Sequence, residues 1–288
     1  MIKLGCNAML RSPKDRDQWL DVEPLIDFIH GLKLDVIDFQ LDRGFPSKTP
    51  DDLLRIKLKC QHYGLPIGYI GIGGGYVGSS NGLGAPLPPD ELQRRIDEAK
   101  TAVDAAAFLS APLIRQFAGA IPEGSENREA LQSTMVQSFQ QIADYAIEKG
   151  VLIGLHNHPP AAEPTGDDLL NLLHQIDRKN VSLILDTGRW RGSPGTNREG
   201  KFDPDLKFYS YMEQVAPHAA YVRAKIFKID SGQEEWLDYN RILGILKAAN
   251  FNGNMSIVFE DRNNRCDAFE SIRLAAQYLR RLLSEHDK

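Results

Sequence analysis

Short apolar runs alternate with longer amphipathic stretches along this chain, and that alternation restricts its fold more than any other feature. We interpret each apolar run as a buried strand, because it is short and is followed by a polar segment. The predicted strands cover residues 2–8, 34–41, 65–73, 111–119, 151–157, 181–187, 219–227 and 254–260.

The stretches between these strands have apolar residues at three- and four-residue spacing, which is the period of an amphipathic helix. Pro88, Pro89 and Asp90 are typical of a helix start, and Gly150 is typical of a helix end. The clearest helical patterns cover residues 88–110, 128–150, 239–250 and 267–286.

Strict alternation of strands and helices predicts an α/β fold with a parallel sheet and helical crossovers. Eight such units predict one closed (β/α)8 TIM barrel, with an eight-stranded parallel sheet, as a single domain over residues 1–288. An open doubly wound sheet is the alternative, because the number of strands does not by itself establish closure.

The composition is typical of a soluble globular protein, since 42% of the 288 residues are hydrophobic and 25% are charged. A formal net charge of −5 gives no broad attraction to a phosphate backbone. The sequence therefore favours a small-molecule substrate and disfavours nucleic acid as a partner.

Cysteine usage and the lack of long apolar segments predict the compartment. Cys6, Cys60 and Cys266 form no CxxC pair and suggest no disulfide framework, which fits a reducing cytoplasm. The first ten residues lack the apolar core of a signal peptide, and no run approaches ~18 uninterrupted apolar residues. We therefore expect a cytoplasmic protein with no membrane partner, and the sequence leaves a homo-oligomer open.

Polar side chains stand where the later predicted strands end, and in a barrel of this kind the active site lies at those carboxyl ends. A single polar pocket at one mouth of the barrel is therefore the strongest inference from the residues alone. The candidate residues are His156 and His158 on the fifth strand, Asp186 on the sixth, Arg223 and Lys225 on the seventh, and Glu260, Asp261 and Arg262 after the eighth.

Each candidate also has a purely structural interpretation. His156 and His158 share a face of an extended segment, and either could bond a backbone carbonyl instead of serving as a ligand or an acid/base group. Asp186 could cap the turn "DTG". Arg223 and Lys225 could simply neutralise neighbouring carboxylates.

Four segments together resemble the xylose-isomerase-like sugar phosphate isomerase/epimerase barrels, a superfamily that also contains apurinic-site nucleases of the endonuclease IV type. These segments are "GVLIGLHNHP", "LILDTGRW", "YVRAKIF" and "LDYNRILGILKAANFNGNMSIVFED", and "TAVDAAAFLSAPLIRQFAG" is similar to the fourth strand–helix unit of that family. The resemblance extends over most of the chain from about Leu65 onward.

The resemblance implies a divalent-metal site with four ligands, at the positions of His156, Asp186, Arg223 and Glu260. Arg223 cannot ligate, because a guanidinium has no free lone pair, and Arg189 stands where the family often has another histidine. Two interpretations follow. Either His156, Asp186 and Glu260 hold Mn, Mg, Co or Zn, or Arg223 takes the place of the cation between the carboxylates.

The resemblance implies an enzyme that isomerises or epimerises a sugar, sugar acid or sugar phosphate by proton transfer. Glu260 is the predicted base, and His156 or His158 is the second acid/base group. The alternatives are an endonuclease IV-like metal-dependent phosphodiesterase and a non-catalytic carbohydrate-binding barrel. The predicted substrate-binding residues are Arg115, Arg189, Arg223, Lys225 and Trp190. Trp190 could stack on a sugar face, although an aromatic residue at such a position more commonly packs in the core.

A glycine-rich segment follows the third predicted strand. Gly73, Gly75 and Gly78 satisfy G-x-G-x-x-G, but no helix begins at once to receive a pyrophosphate, so we predict no nucleotide cofactor. A mobile loop over the barrel mouth is the preferred interpretation, and residues 191–202 are a second candidate part of that lid.

Overall fold

The structure is a computed structural model that describes residues 1–12, 15, 17–79, 82–119, 121, 124–158, 165–195, 199–201, 207–260 and 267–286. Each of the eight predicted strands is confirmed. The first and last residues of each strand in the structure lie within three residues of the predicted ones. In chain order the described strands are β1 (Lys3–Asn7), β2 (Val36–Gln40), β3 (Ile67–Gly71), β4 (Val77–Ser79), β5 (Gly82–Pro86), β6 (Leu113–Gln116), β7 (Leu152–His156), β8 (Val181–Asp186), β9 (Ala219–Ile226) and β10 (Asn254–Phe259).

Eight of these strands close into a barrel in the order β1-β10-β9-β8-β7-β6-β3-β2. Strand β1 lies between β10 and β2, with Lys3 beside Asn254 and Gly5 beside Val36. Every neighbouring pair around the barrel is parallel. The predicted TIM barrel is therefore confirmed, and the open doubly wound sheet is wrong.

The helices alternate with the barrel strands, and the four clearest sequence patterns are confirmed as α3, α4, α7 and α8. The described helices are α1 (Val22–Gly31), α2 (Pro50–His62), α3 (Pro89–Leu109), α4 (Arg128–Ile147), α5 (Gly166–Ile176), α6 (Phe208–Val215), α7 (Tyr239–Ala248) and α8 (Ala268–His286). Helix α7 begins where the Asp238 side chain accepts a hydrogen bond from the Arg241 amide. None of the described helices is long and apolar enough to cross a membrane.

The main hydrophobic core lies between the strands and the helices, and Trp190 and Phe227 belong to it. A separate cluster fills the barrel lumen. Tyr69 on β3 packs edge to face on Tyr221 of β9 with ring centroids 5.1 Å apart. Three strands separate β3 from β9 around the barrel, so these rings meet across the lumen and form a packed floor beneath the mouth.

The glycine-rich segment after β3 forms an antiparallel hairpin, β4–β5, before α3 begins at Pro89. The sequence predicted a mobile loop here and not the two strands. Buried Tyr76 anchors it to α4, with its ring 5.6 Å from that of Phe139. In the second predicted lid segment, Ser193 and Gly195 are buried, and residues 196–198 and 202 lie outside the described residues.

Candidate active site

The ends of four neighbouring strands bring the predicted polar residues together. His156 is the last residue of β7, Asp186 is the last residue of β8, and Asp186 pairs in register with Arg223 on β9. Lys225 shares a face of β9 with Arg223 because side chains alternate along a strand. Glu260 directly follows β10, so all five belong to the same rim.

Asp186 is the centre of this group. Its Oδ2 lies 3.2 Å from His156 Nε2, 3.2 Å from Arg223 Nε and 3.6 Å from Lys225 Nζ. Its Oδ1 accepts a hydrogen bond of 3.0 Å from the Gly188 amide. The carboxylate therefore has a donor or a cation on both oxygens.

Asn157 holds the backbone of Asp186 in place, although it was not among the residues predicted from the sequence. Its Oδ1 accepts from the Asp186 amide at 2.8 Å, and its Nδ2 donates to the carbonyls of Asp186 and Arg189 at 3.0 and 3.1 Å. The only signal for it was its place between the two histidines of "HNH". It cross-links the ends of β7 and β8 and so fixes the position of the aspartate.

His156 has partners on both ring nitrogens. Arg115 Nη1 lies 3.1 Å from Nδ1, and a guanidinium can only donate, so Nδ1 accepts and the ring proton is on Nε2, facing Asp186. Burial, then the nearby charges of Arg223 and Arg115, lower the pKa of His156 well below its ordinary value. It is therefore a neutral linker between a cation and a carboxylate, which suits it to orienting Asp186 rather than to exchanging protons.

Glu260 lies between two cations. Lys225 Nζ is 2.5 Å from its Oε2, and Arg189 Nη2 bonds its Oε1. The Glu260 side chain is 24% exposed, whereas that of Asp186 is 0% exposed. Burial lowers the pKa of Lys225 to about 8, against the raising effects of Asp186 and Glu260. Glu260 is thus the carboxylate of the pair that can reach a bound molecule.

Arg115 forms its hydrogen bonds mainly with residues of the barrel wall. Its Nη2 donates to Gln40 Oε1 at 2.5 Å and to the Ile72 carbonyl at 3.0 Å, and its guanidinium lies 4.3 Å from the Phe117 ring. Gly71 makes room for it, because a Cβ there would collide with both Gln40 and Arg115. Burial, then the charge of Arg223, lower the pKa of Arg115 to about 9.

The floor of the site is a polar network that sequence analysis did not predict. Arg223 Nη1 donates to the Tyr69 hydroxyl at 2.7 Å, and Asn7 Nδ2 donates to the same oxygen at 2.6 Å. Tyr221, two residues before Arg223 on β9, donates to Asp38 Oδ1 at 2.6 Å. Polar residues inside the first three strands were the available signal.

Two other predicted residues have different outcomes. His158 is half-buried, with ring centroids 4.8 Å from Phe117 and 5.6 Å from His156. Trp190 is fully buried in the main core, where its ring centroid lies 6.0 Å from that of Tyr211. Of the two interpretations of Trp190, the structure therefore has the packing one, because its ring has no exposed face for a sugar. Asp261, Arg262 and Cys266 lie outside the described residues.

The residues at the mouth do not fit the three-ligand metal site expected from His156, Asp186 and Glu260. The hydrogen bond from Arg115 puts the proton of His156 on Nε2, so that nitrogen has no lone pair for a metal. The ammonium of Lys225 lies where an ion bridging the two carboxylates would lie. Within the part of the chain that the structure describes, no group of three or more His, Cys, Asp or Glu side chains could hold a metal ion.

The alternative expectation, in which Arg223 takes the place of the cation between the carboxylates, is also corrected. Arg223 contacts Asp186 and extends down to Tyr69, while Lys225 contacts both Asp186 and Glu260. Arg223 and Lys225 differ in how close their positions on β9 lie to the mouth. Lys225 stands two residues further toward the mouth on the same face of β9, beside β10, and so its ammonium arrives at Glu260.

Residues 26–282 match the family model for the xylose isomerase-like TIM barrel. No curated protein sequence matches the chain.

Solved structures with the same fold cover nearly the whole chain. A xylose isomerase domain protein from Planctomyces limnophilus has a TM-score of 0.71 at 17% identity, over 91% of this chain and 93% of that one. D-psicose 3-epimerase with D-tagatose, from Clostridium cellulolyticum H10, has a TM-score of 0.72 at 15% identity, over 98% and 99%. An AP endonuclease, family 2, from Brucella melitensis has a TM-score of 0.69 at 16% identity, over 96% and 99%. At these identities the likeness establishes the barrel fold alone.

Proposed function

This chain belongs to the xylose isomerase-like TIM-barrel family, and we propose that it is an isomerase or epimerase of a sugar, sugar acid or sugar phosphate. The observation that carries the proposal is the partly exposed Glu260 carboxylate, bonded by Lys225 and Arg189 at the mouth of the barrel. The sugar epimerases among its structural neighbours support a sugar-type substrate.

In this proposal Glu260 removes the proton. In the proton-transfer route, isomerisation and epimerisation both begin with loss of a proton from a carbon next to a carbonyl group, which puts negative charge on the carbonyl oxygen. The side chains of Asp186 and His156 are 0% exposed and already paired, so they are assigned to holding the site rather than to touching the substrate.

Lys225 and Arg189 stabilise the developing negative oxygen. Both cations lie directly at Glu260, so an oxygen next to the abstracted proton falls within their reach. Preorganised charges in a site with little water are worth more than the same charges in solution. Arg223 and Arg115 act one step further away, by orienting Asp186 and His156.

His158 returns the proton. Its ring is half-buried beside Phe117, and burial, then the charge of Arg189, lower its pKa so that the imidazole is neutral at neutral pH. A neutral imidazole has one donor and one acceptor nitrogen, so it can relay a proton: it gives the N–H proton to the substrate carbon while its other nitrogen accepts a proton from solvent, and the ring stays neutral. The proton that Glu260 removed then leaves to solvent, so Glu260 returns to the carboxylate. This assignment replaces His156, both of whose nitrogens have partners.

The endonuclease IV-like alternative is less well supported. Metal-dependent phosphodiester cleavage of that kind needs several ligated metal ions. The donors that would ligate them here are already bonded to Arg223, Lys225 and Arg115. The remaining alternative is a non-catalytic barrel whose ion pairs are only structural. The following experiment distinguishes it from an isomerase or epimerase.

The test is solvent hydrogen exchange. The purified chain is incubated in D2O with a panel of ketoses, aldonates and sugar phosphates, and deuterium incorporation is followed by NMR. We expect exchange with at least one member, and we expect Glu260→Gln to slow it by roughly 10²–10⁴-fold because the proton acceptor is lost.

Glu270→Gln is the matched control. Glu270 is exposed on α8, where it pairs with Arg273 on the same helix and contacts none of the mouth residues named above, so this variant should exchange at the wild-type rate. Binding of a panel member without any exchange would support the carbohydrate-binding barrel instead. Exchange that survives in a folded Glu260→Gln variant would remove Glu260 from the proposed role.

A further inference from the structure

We propose that the ammonium group of Lys225 is the permanent cation of this site and replaces the divalent metal ion between Asp186 and Glu260. Its Nζ lies 2.5 Å from Glu260 Oε2 and 3.6 Å from Asp186 Oδ2. A bridging metal ion would have to contact the same two carboxylates. The ammonium takes that position while remaining covalently attached to β9.

Among the described residues, the cations at the site already outnumber its carboxylates without a dication. The two carboxylates contact three cations, Lys225, Arg223 and Arg189. A divalent ion added to this group would be repelled by all three at short range, and in a buried site such repulsion is screened only weakly. The arginines cannot relieve it by losing a proton under ordinary conditions.

The chain is built to hold the lysine in this position. Its backbone amide donates to Thr187 Oγ1 at 2.9 Å, and its carbonyl accepts from the Tyr239 hydroxyl at 2.6 Å. Gly188 leaves room for the Phe227 ring and for the lysine stem, because a Cβ there would lie 2.6 Å from Phe227 Cζ and 2.8 Å from Lys225 Cγ. The "DTG" turn after β8 therefore contributes in two ways. Asp186 pairs with the ammonium group, and Gly188 leaves space for the lysine side chain.

This inference concerns the cation and not the reaction, so metal binding tests it and activity does not. The full chain is freed of metal with chelator, and Mn²⁺ binding is measured at pH 7 by calorimetry for the wild type, Lys225→Met and Lys225→Arg. Lys149→Met is the matched control, because it removes one positive charge from an exposed ion pair with Asp104.

We expect the wild type, Lys225→Arg and Lys149→Met to bind Mn²⁺ equally weakly. Lys225→Met should bind it at least about tenfold more tightly, because two carboxylates have then lost the cation they share. Adding Asp186→Asn to Lys225→Met should abolish the gain. A folded Lys225→Met variant that binds no more tightly than the wild type would overturn the proposal.

A second measurement does not depend on whether Lys225→Met folds. Wild-type protein is loaded with Mn²⁺, desalted and analysed for bound metal. Absence of retained metal supports replacement by the lysine. Near-stoichiometric Mn²⁺ that is retained by the wild type and lost in Asp186→Asn would mean that a metal displaces the ammonium, and the proposal would be wrong.

Discussion

Asp186 and Asp38 are both fully buried in the same barrel, but their surroundings are opposite. Asp186 lies at the mouth and has Arg223 and Lys225 within 3.2 and 3.6 Å. Asp38 lies in the network beneath, where the hydrogen bond it accepts at 2.6 Å comes from the neutral hydroxyl of Tyr221. One layer of the lumen is built from ion pairs and the next from hydroxyl groups.

The difference shows that two equally buried carboxylates in one barrel can have different partners, ion pairs at the mouth and hydroxyl groups beneath it. Burial raises the pKa of Asp38 to about 7, and hydrogen bonds from Ser256 and Tyr221, followed by the charge of Arg223, only partly oppose it. A hydroxyl group has a dipole but no net charge. It therefore compensates a buried carboxylate for its lost hydration less than a cation does. The floor therefore favours the protonated form of Asp38 at pH values below about 7.

The largest expected effect comes from removing the charge at the mouth. Asp186→Asn leaves Arg223 buried without its carboxylate, and breaking one side of a buried ion pair costs about 3–5 kcal/mol of unfolding free energy. Urea denaturation followed by circular dichroism measures the loss.

Asp104→Asn is the control for that measurement. Asp104 pairs with Lys149 on the outside of the barrel, where solvent screens the interaction, so we expect almost no change. A loss for Asp186→Asn as small as that of the control would show that the mouth is stabilised by packing and not by its ion pairs.

The second effect is a pH dependence that belongs to Asp38. Its pKa rises from 3.8 in the unfolded chain to about 7 in the folded barrel. Between these values the unfolded chain has released the proton and the folded protein has kept it. Stability therefore falls as the pH rises from about 4 to about 7, by up to roughly 4 kcal/mol from this group, and levels off above.

Asp38→Asn should remove that part of the slope, because an amide resembles the protonated acid in shape and does not titrate. Thermal unfolding of the wild type and Asp38→Asn at several pH values gives the difference. The comparison also cancels the similar contribution of buried Glu234, whose pKa burial raises to about 7. Parallel pH profiles for the two proteins would mean that Asp38 is charged, and the contrast with Asp186 would disappear.

The barrel was predictable because its signal is periodic and repeats along the chain. Strands such as "LILDT" are apolar on both faces until their last residues, and each of the clearest helical patterns has one apolar face. The same logic located His156, Asp186 and Glu260, since the carboxyl ends of parallel strands must share a rim.

The partners within the rim were not predictable, because they depend on side-chain reach across the lumen. Sequence spacing places Arg223 and Lys225 on one face but does not tell which ammonium or guanidinium group arrives at Glu260. Asp38 and Tyr69 were hidden inside apolar runs. A polar residue in the middle of a strand predicted to be buried is the signal that would have identified both.

The smallest effect we predict is at Tyr69, the residue that joins the two layers. Its hydroxyl oxygen accepts from Arg223 above and from Asn7 beside it, and Tyr69→Phe leaves both donors without that acceptor. We expect the free energy of unfolding, measured by urea denaturation, to fall by about 1–3 kcal/mol.

Combining Tyr69→Phe with Asp186→Asn completes a double-mutant cycle around Arg223. If the mouth and floor share that arginine, the two losses will depart from additivity by about 0.5–3 kcal/mol. Simple additivity would instead mean that the layers are independent, with Arg223 belonging to the ion pairs alone.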